Sequence, residues 1–119
     1  MVALDFSSDV AVGFAPPVSR HGDRTVVWLD GEQDVATASV LTDTLMTAIA
    51  AEDADLIVDL SGVTFIGAAT LGVLMSGRNM LRQQSRLMTL RSPSRCARRL
   101  LQVSGLTHLI EHDGDLFAD

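Results

Sequence analysis

Leu56–Met75 reads LIVDLSGVTFIGAATLGVLM, and its pattern changes part-way along. Leu56-Ile57-Val58-Asp59-Leu60 is a short, branched, apolar run bounded by Ala54-Asp55 and Ser61-Gly62. A run of that length with those flanks reads as a buried strand. Val63-Thr64-Phe65-Ile66 continues extended, and Gly67-Ala68-Ala69-Thr70 then breaks the pattern with small residues. Leu71, Val73, Leu74 and Met75 begin a helix-like run. Strand, tight turn and helix make a β-to-α junction. A helix starting there points its unpaired N–H groups and its positive dipole end out of the turn. Small side chains leave that backbone open to a partner or an anion, so the turn is the candidate working surface.

Upstream, Thr25-Val26-Val27-Trp28-Leu29 has the β-branched and aromatic character of a strand. His21-Gly22-Asp23-Arg24 reads as the turn before it, and Asp30-Gly31-Glu32-Gln33-Asp34 as its end. Val10-Ala11-Val12-Gly13-Phe14 is a candidate first strand, confined to a sheet edge because Pro16-Pro17 removes ladder donors. Asp34 stands at the N-cap of a helix running from Val35 to about Ala51, with one apolar stripe through Val35, Ala38, Leu41, Leu45, Ala48 and Ile49.

Downstream, the second helix runs to about Gln84. Gly72 and Gly77 inside it each cost about 1 kcal/mol against alanine, which close packing on the sheet would explain. Arg86–Leu90 reads as a third core strand, Ser94–Val103 as a helix begun by Ser92-Pro93, and Leu109-Ile110-Glu111 as a last short strand. Strands alternating with helices imply an α/β domain with a mostly parallel sheet of four to five strands.

The composition supports this. The 119 residues suit one domain over 1–119, with a core at about 20–112 and residues 1–9 as a loose tail. With aromatics at 4% and hydrophobic residues at 47%, the core is aliphatic. A net charge of −6 argues against a general nucleic-acid binder and against an anionic membrane surface. No apolar run approaches the ~18–20 residues of a membrane span. The N-terminus carries Asp5 and Asp9 without an early basic cluster, so it is not read as a signal peptide. A single cysteine, Cys96, suits a reducing cytoplasm, where the chain is expected.

Chemistry is hard to find. His21, His108 and His112 sit in turn-like or terminal places, and no G-x-S-x-G elbow occurs. Neither phosphate-binding glycine motif is present, so no cofactor is expected. Cys96 reads as a small core residue. Asp30, Glu32, Asp34 and Asp59 read as solvated caps near strand ends, and no metal is expected. Arg95, Arg98 and Arg99 cluster on one helix, as a solvated face or a contact for an acidic partner. The residues thus favour a binding module over an enzyme.

Several of these segments together resemble the STAS domain, the family of sulfate-transporter domains and bacterial anti-sigma factor antagonists. The resemblance covers about residues 20–112. It rests on Leu29–Asp34, on Val58–Ile66, on Leu71-Gly72-Val73-Leu74, on Ser92-Pro93 and on Leu100–Leu106. It implies a cytoplasmic, bacterial regulator that binds an anti-sigma factor, often a serine kinase of the histidine-kinase-like ATPase fold, and so frees a sigma factor for transcription. In such antagonists the kinase phosphorylates a Ser or Thr at the start of the second helix and ends the binding. An added charge of about −1.5 to −2 at an interface can do this.

The chain departs from the family's Asp-Ser-Ser-Gly or Asp-Ser-Thr-Gly turn. Gly67 holds the acidic position, Ala68 the phosphoacceptor position and Ala69 the next hydroxyl position. Neither alanine can accept phosphate. Thr70 stands where the family has Gly, two places late, and is a poor substitute acceptor. The expectation is an antagonist without the phosphorylation switch, contacting its partner through Asp30, Asp34, Gly67, Ala68, Ala69 and Thr70. The alternative is a STAS scaffold or ligand-sensing module that takes a small anion, nucleotide or lipid. Oligomeric state stays open.

Overall fold

The computed structural model describes residues 15–51 and 53–111. Four strands form one sheet in the order β1 (Val18–His21), β2 (Arg24–Gln33), β3 (Asp55–Ile66), β4 (Met88–Arg91). β1 and β2 are antiparallel, while β2–β3 and β3–β4 are parallel. The helices are α1 (Val35–Ala51), α2 (Ala68–Gln83) and α3 (Arg95–Val103). The α/β reading and the mostly parallel sheet hold.

The edge strand lies after the double proline, at Val18–His21. The strand expected at Val10–Phe14, the loose tail and the chain after Glu111 lie outside the described residues. Gly22, at φ +65°, opens the two-residue turn between β1 and β2. Glycine at that first central position suits a type II′ hairpin.

β2 does not end at Leu29. It runs on to Gln33, because two register shifts, Trp28/Asp30 and Gly31/Glu32, let Asp30-Gly31 stay in the ladder instead of turning. Gly31 takes φ +68° there, a conformation that glycine adopts at no steric cost. Gly62 lies opposite, paired with Asp30; a Cβ on Gly62 would sit 2.8 Å from the Asp30 Cβ. Two strands can run this close only because Gly62 lacks a side chain.

Alternate residues of the central strands, Val27 and Leu29, Val58 and Leu60, with Leu90, meet Leu41 and Leu45 of α1 and Leu74 and Leu81 of α2 in one aliphatic core. Ala97 and Leu101 of α3 join the same core. Gly77 explains itself here: a Cβ would lie 3.2 Å from the Met88 methyl and 3.3 Å from Leu45 Cδ1. Gly72 does not. It is exposed, and a Cβ there would meet nothing within 4 Å.

The strand expected from Arg86 begins at Met88 instead. Arg86 itself is buried, and its guanidinium donates to the Ala54 carbonyl (3.0 and 2.9 Å), the Ile49 carbonyl (3.0 Å) and Gln84 Oε1 (2.6 Å). A positive group against the last carbonyls of α1 complements its dipole. The last short strand reduces to a 3-10 turn, Thr107–Leu109, and a single parallel bridge between Leu90 and Ile110. The Glu111 N–H closes it onto the Leu90 carbonyl at 2.7 Å.

Candidate functional site

Parallel strands deliver their crossover helices from one end of the sheet, and here the end where β2 and β3 finish gathers the candidate residues. Gln33 pairs with Ile66 at the ends of β2 and β3, and Gly67 N–H donates to the Gln33 carbonyl at 2.9 Å. Two residues beyond Gln33 and Ile66 a helix starts, α1 at Val35 and α2 at Ala68. Two helix N-termini therefore open side by side, each adding its partial positive charge.

Asp34 caps α1 as expected. Its Oδ1 accepts from the Ala36 N–H at 2.9 Å, and its own N–H is taken up by Thr37 Oγ1 at 3.0 Å. This is the reciprocal arrangement of a capping box with threonine in the third position. Gln33, buried, steadies the turn by donating to the Asp30 carbonyl at 2.8 Å. The Asp30 carboxylate and Glu32 are exposed.

α2 has no such cap. Gly67 occupies its N-cap in an extended conformation and offers no side-chain acceptor. Ala68 is exposed and Ala69 half-buried. Thr70 faces inward: it is 0% exposed, and its hydroxyl has no hydrogen-bond partner. The structure thus splits the six candidate residues. Asp30 and Ala68 are at the surface, Asp34 is tied into its cap, Gly67 and Ala69 form the backbone of the turn, and Thr70 lies beneath it.

Two residues not expected at the surface complete it: Phe65, to which the sequence assigns no role, and Val35, expected on the apolar stripe of α1 but exposed at its first residue, before the helix turns onto the sheet. Phe65 is 51% exposed and its ring lies beside Gly67, 3.6 Å from where a Cβ would stand. Val35, the first residue of α1, is 79% exposed. Val35, Phe65 and Ala68 are thus exposed apolar residues at this end of the sheet, where Glu32, also exposed, pairs with Phe65. Only the Val63–Ile66 burial pattern, buried at both ends and open between, marks Phe65 as an outward residue.

Asp59 is not a solvated cap. It is 5% exposed, and its Oδ1 accepts from the Ser61 N–H (2.9 Å) and hydroxyl (2.7 Å). Its Oδ2 accepts from Arg91 Nε at 2.8 Å. Burial pushes this carboxyl up, but the Ser61 hydrogen bonds and the Arg91 charge outweigh burial and hold it below the usual carboxylate range. The Arg91 guanidinium also lies 4.9 Å from the Trp28 ring centre. Cys96 is half-buried, with Sγ 3.5 Å from the Val63 carbonyl oxygen. Among the described residues, no three His, Cys, Asp or Glu side chains gather to hold a metal ion. No described helix is long and apolar enough to cross a membrane.

A family model described as "Mlab, STAS domain" matches residues 17–111. The chain belongs to the STAS domain family. Solved structures agree. The STAS chain superposes on the anti-sigma factor antagonist SpoIIAA in its unphosphorylated form with a TM-score of 0.72, at 20% identity, over 87% of this chain and 93% of that one. Bacillus SpoIIAA in the phosphorylated form gives 0.66, at 20% identity, over 87% and 97%. An anti-sigma factor antagonist from Mycobacterium paratuberculosis gives 0.74, at 25% identity, over 90% and 94%. No curated protein matches. The STAS fold recognised from the motifs is thus the fold observed, four mixed strands with three helices.

Proposed function

We propose that this STAS domain is an anti-sigma factor antagonist whose contact surface is the end of the sheet that carries Val35, Phe65, Gly67 and Ala68. The partner is an anti-sigma factor, and a serine kinase of the histidine-kinase-like ATPase fold is the expected kind. Capturing it frees a sigma factor. The observation that carries the reading is Ala68: it is exposed at the first position of α2, where antagonists of this family carry their phosphoacceptor.

An alanine there has no hydroxyl, Ala69 has none either, and the hydroxyl of Thr70 is shut inside the core. A kinase cannot reach Thr70 without unfolding the start of α2. The domain is therefore a permanently binding-competent antagonist. Incubation with the cognate kinase and ATP tests this. No phosphate should appear on residues 67–70, and the complex should survive ATP. Phosphate on this turn with loss of binding would sink the reading.

One observation favours a second reading, a ligand-sensing or scaffold module. A groove of about 560 Å³ lies between β1 and α1, with Val18, Arg20, Asp43, Thr47 and Ala48 in its walls. Thr25 also lines it, 4% exposed and with a hydroxyl that has no hydrogen-bond partner. A small anion, nucleotide or lipid held there would raise the melting temperature, with the logarithm of its free concentration once the site is saturated. A thermal-shift screen over those three classes separates this reading from pure protein binding.

A further inference from the structure

We propose that the outer stripe of α3, Arg95, Arg98 and Arg99, is a second interaction surface that takes a short carboxylate-rich segment of a partner protein. Charge is unevenly distributed along this chain. Residues 78–110 carry seven of its nine arginines and neither an aspartate nor a glutamate, in a chain of net charge −6. Two of the seven have structural work: Arg86 is satisfied by buried oxygen atoms and Arg91 by Asp59 and Trp28. Arg95, Arg98 and Arg99 are exposed, and among the described residues none has an ion-pair partner.

Positions 95, 98 and 99 are neighbours on one helix face, at i, i+3 and i+4. Like charges at that spacing destabilise a helix, and α3 is only 9 residues long. Folding therefore works against this stripe. The opposite face of α3 supplies Ala97 and Leu101 to the core, so the stripe points away from the domain. Val103, 75% exposed, continues the same face four residues beyond Arg99.

The size of the stripe selects its occupant. From Arg95 to Val103 it runs about 12 Å along the helix axis, the length of about four extended residues. A duplex or an anionic membrane extends far beyond that, against a chain that outside the stripe carries 15 carboxylates and six arginines, and a Debye length of about 8 Å does not hide that charge from so large a partner. A short acidic segment touches the stripe alone. Arginine forks bind carboxylates with two parallel hydrogen bonds, and Val103 offers an apolar contact at the end.

The test uses a fluorescein-labelled hexaglutamate peptide and anisotropy with the full chain at low salt. The wild type binds the peptide, and binding weakens as salt rises from about 50 to 200 mM. The triple variant Arg95→Glu/Arg98→Glu/Arg99→Glu binds at least about tenfold more weakly, whereas the triple lysine variant keeps most of the affinity. All three side chains are exposed, so melting temperatures should match; if the glutamate variant fails to fold, the triple glutamine variant serves in its place. Absence of peptide binding by the wild type, equal binding by the charge-altered variant, or stripe-dependent binding of duplex DNA or phosphatidylserine vesicles in place of the peptide would each overturn the proposal.

Discussion

The backbone N–H of Gly67 donates to the carbonyl oxygen of Gln33 at 2.9 Å. This bond ties the end of β3 to the end of β2 and fixes two helix starts side by side. Val35 and Ala68, both exposed, thereby open their helices from the same end of two paired strands although they lie far apart in sequence. The surface is a product of the sheet register, Gln33 against Ile66, and not of either loop alone.

The two glycines inside α2 should respond differently to alanine. Gly72 has open space around it, so Gly72→Ala should stabilise the fold by about 0.5–1 kcal/mol through helix propensity and a less disordered unfolded chain. Gly77→Ala gains the same propensity but presses on Met88 and Leu45. It should gain less than Gly72→Ala or lose stability outright. Urea unfolding of both variants checks the difference, and equal gains would contradict the packing account.

Thr70→Val should leave stability unchanged or raise it. The native hydroxyl is buried without a partner, and a methyl of the same shape carries no desolvation cost of about 1–3 kcal/mol. Chemical denaturation measures it. A loss of more than about 1 kcal/mol would mean that the hydroxyl makes a hydrogen bond in solution.

Asp59 predicts the acid side of the stability curve. Its carboxyl is held below its ordinary value in the folded chain, so the unfolded chain takes up the proton first. The sign follows: its contribution is fully present above the unfolded value of about 3.9 and is lost as pH falls through the lower folded value. Asp59→Asn should destabilise at neutral pH, because Arg91 loses its charged partner, and should flatten the dependence below about pH 4. Parallel acid slopes for the two proteins would remove Asp59 from the account.

Much of the fold was legible because local signals agreed. Asp34 announced the start of α1 by its capping chemistry, and the branched run Leu56–Leu60 announced the central strand. The misreadings have physical causes. Asp30-Gly31 carries turn chemistry, yet a bulge used that same glycine to lengthen β2. Leu109–Glu111 has strand composition, but it meets only the short β4 and makes one bridge. Asp59 looked like a surface carboxylate because its partner, Arg91, is 32 residues away and only the parallel β3–β4 register brings them together. Within the site, the small-residue turn was visible directly. Phe65 was not, since a large aromatic side chain inside an apolar run reads as a core residue.

Co-purification of an anti-sigma factor with wild type and with Ala68→Glu tests the central claim most directly. Glutamate at the first position of α2 is favoured by the helix dipole and points outward, so the fold should survive, as an unchanged melting temperature would verify. The account predicts that the wild type retains an ATPase-fold anti-sigma factor and that Ala68→Glu loses it. Equal retention of that partner by both proteins would contradict it and place the contact surface elsewhere on the domain.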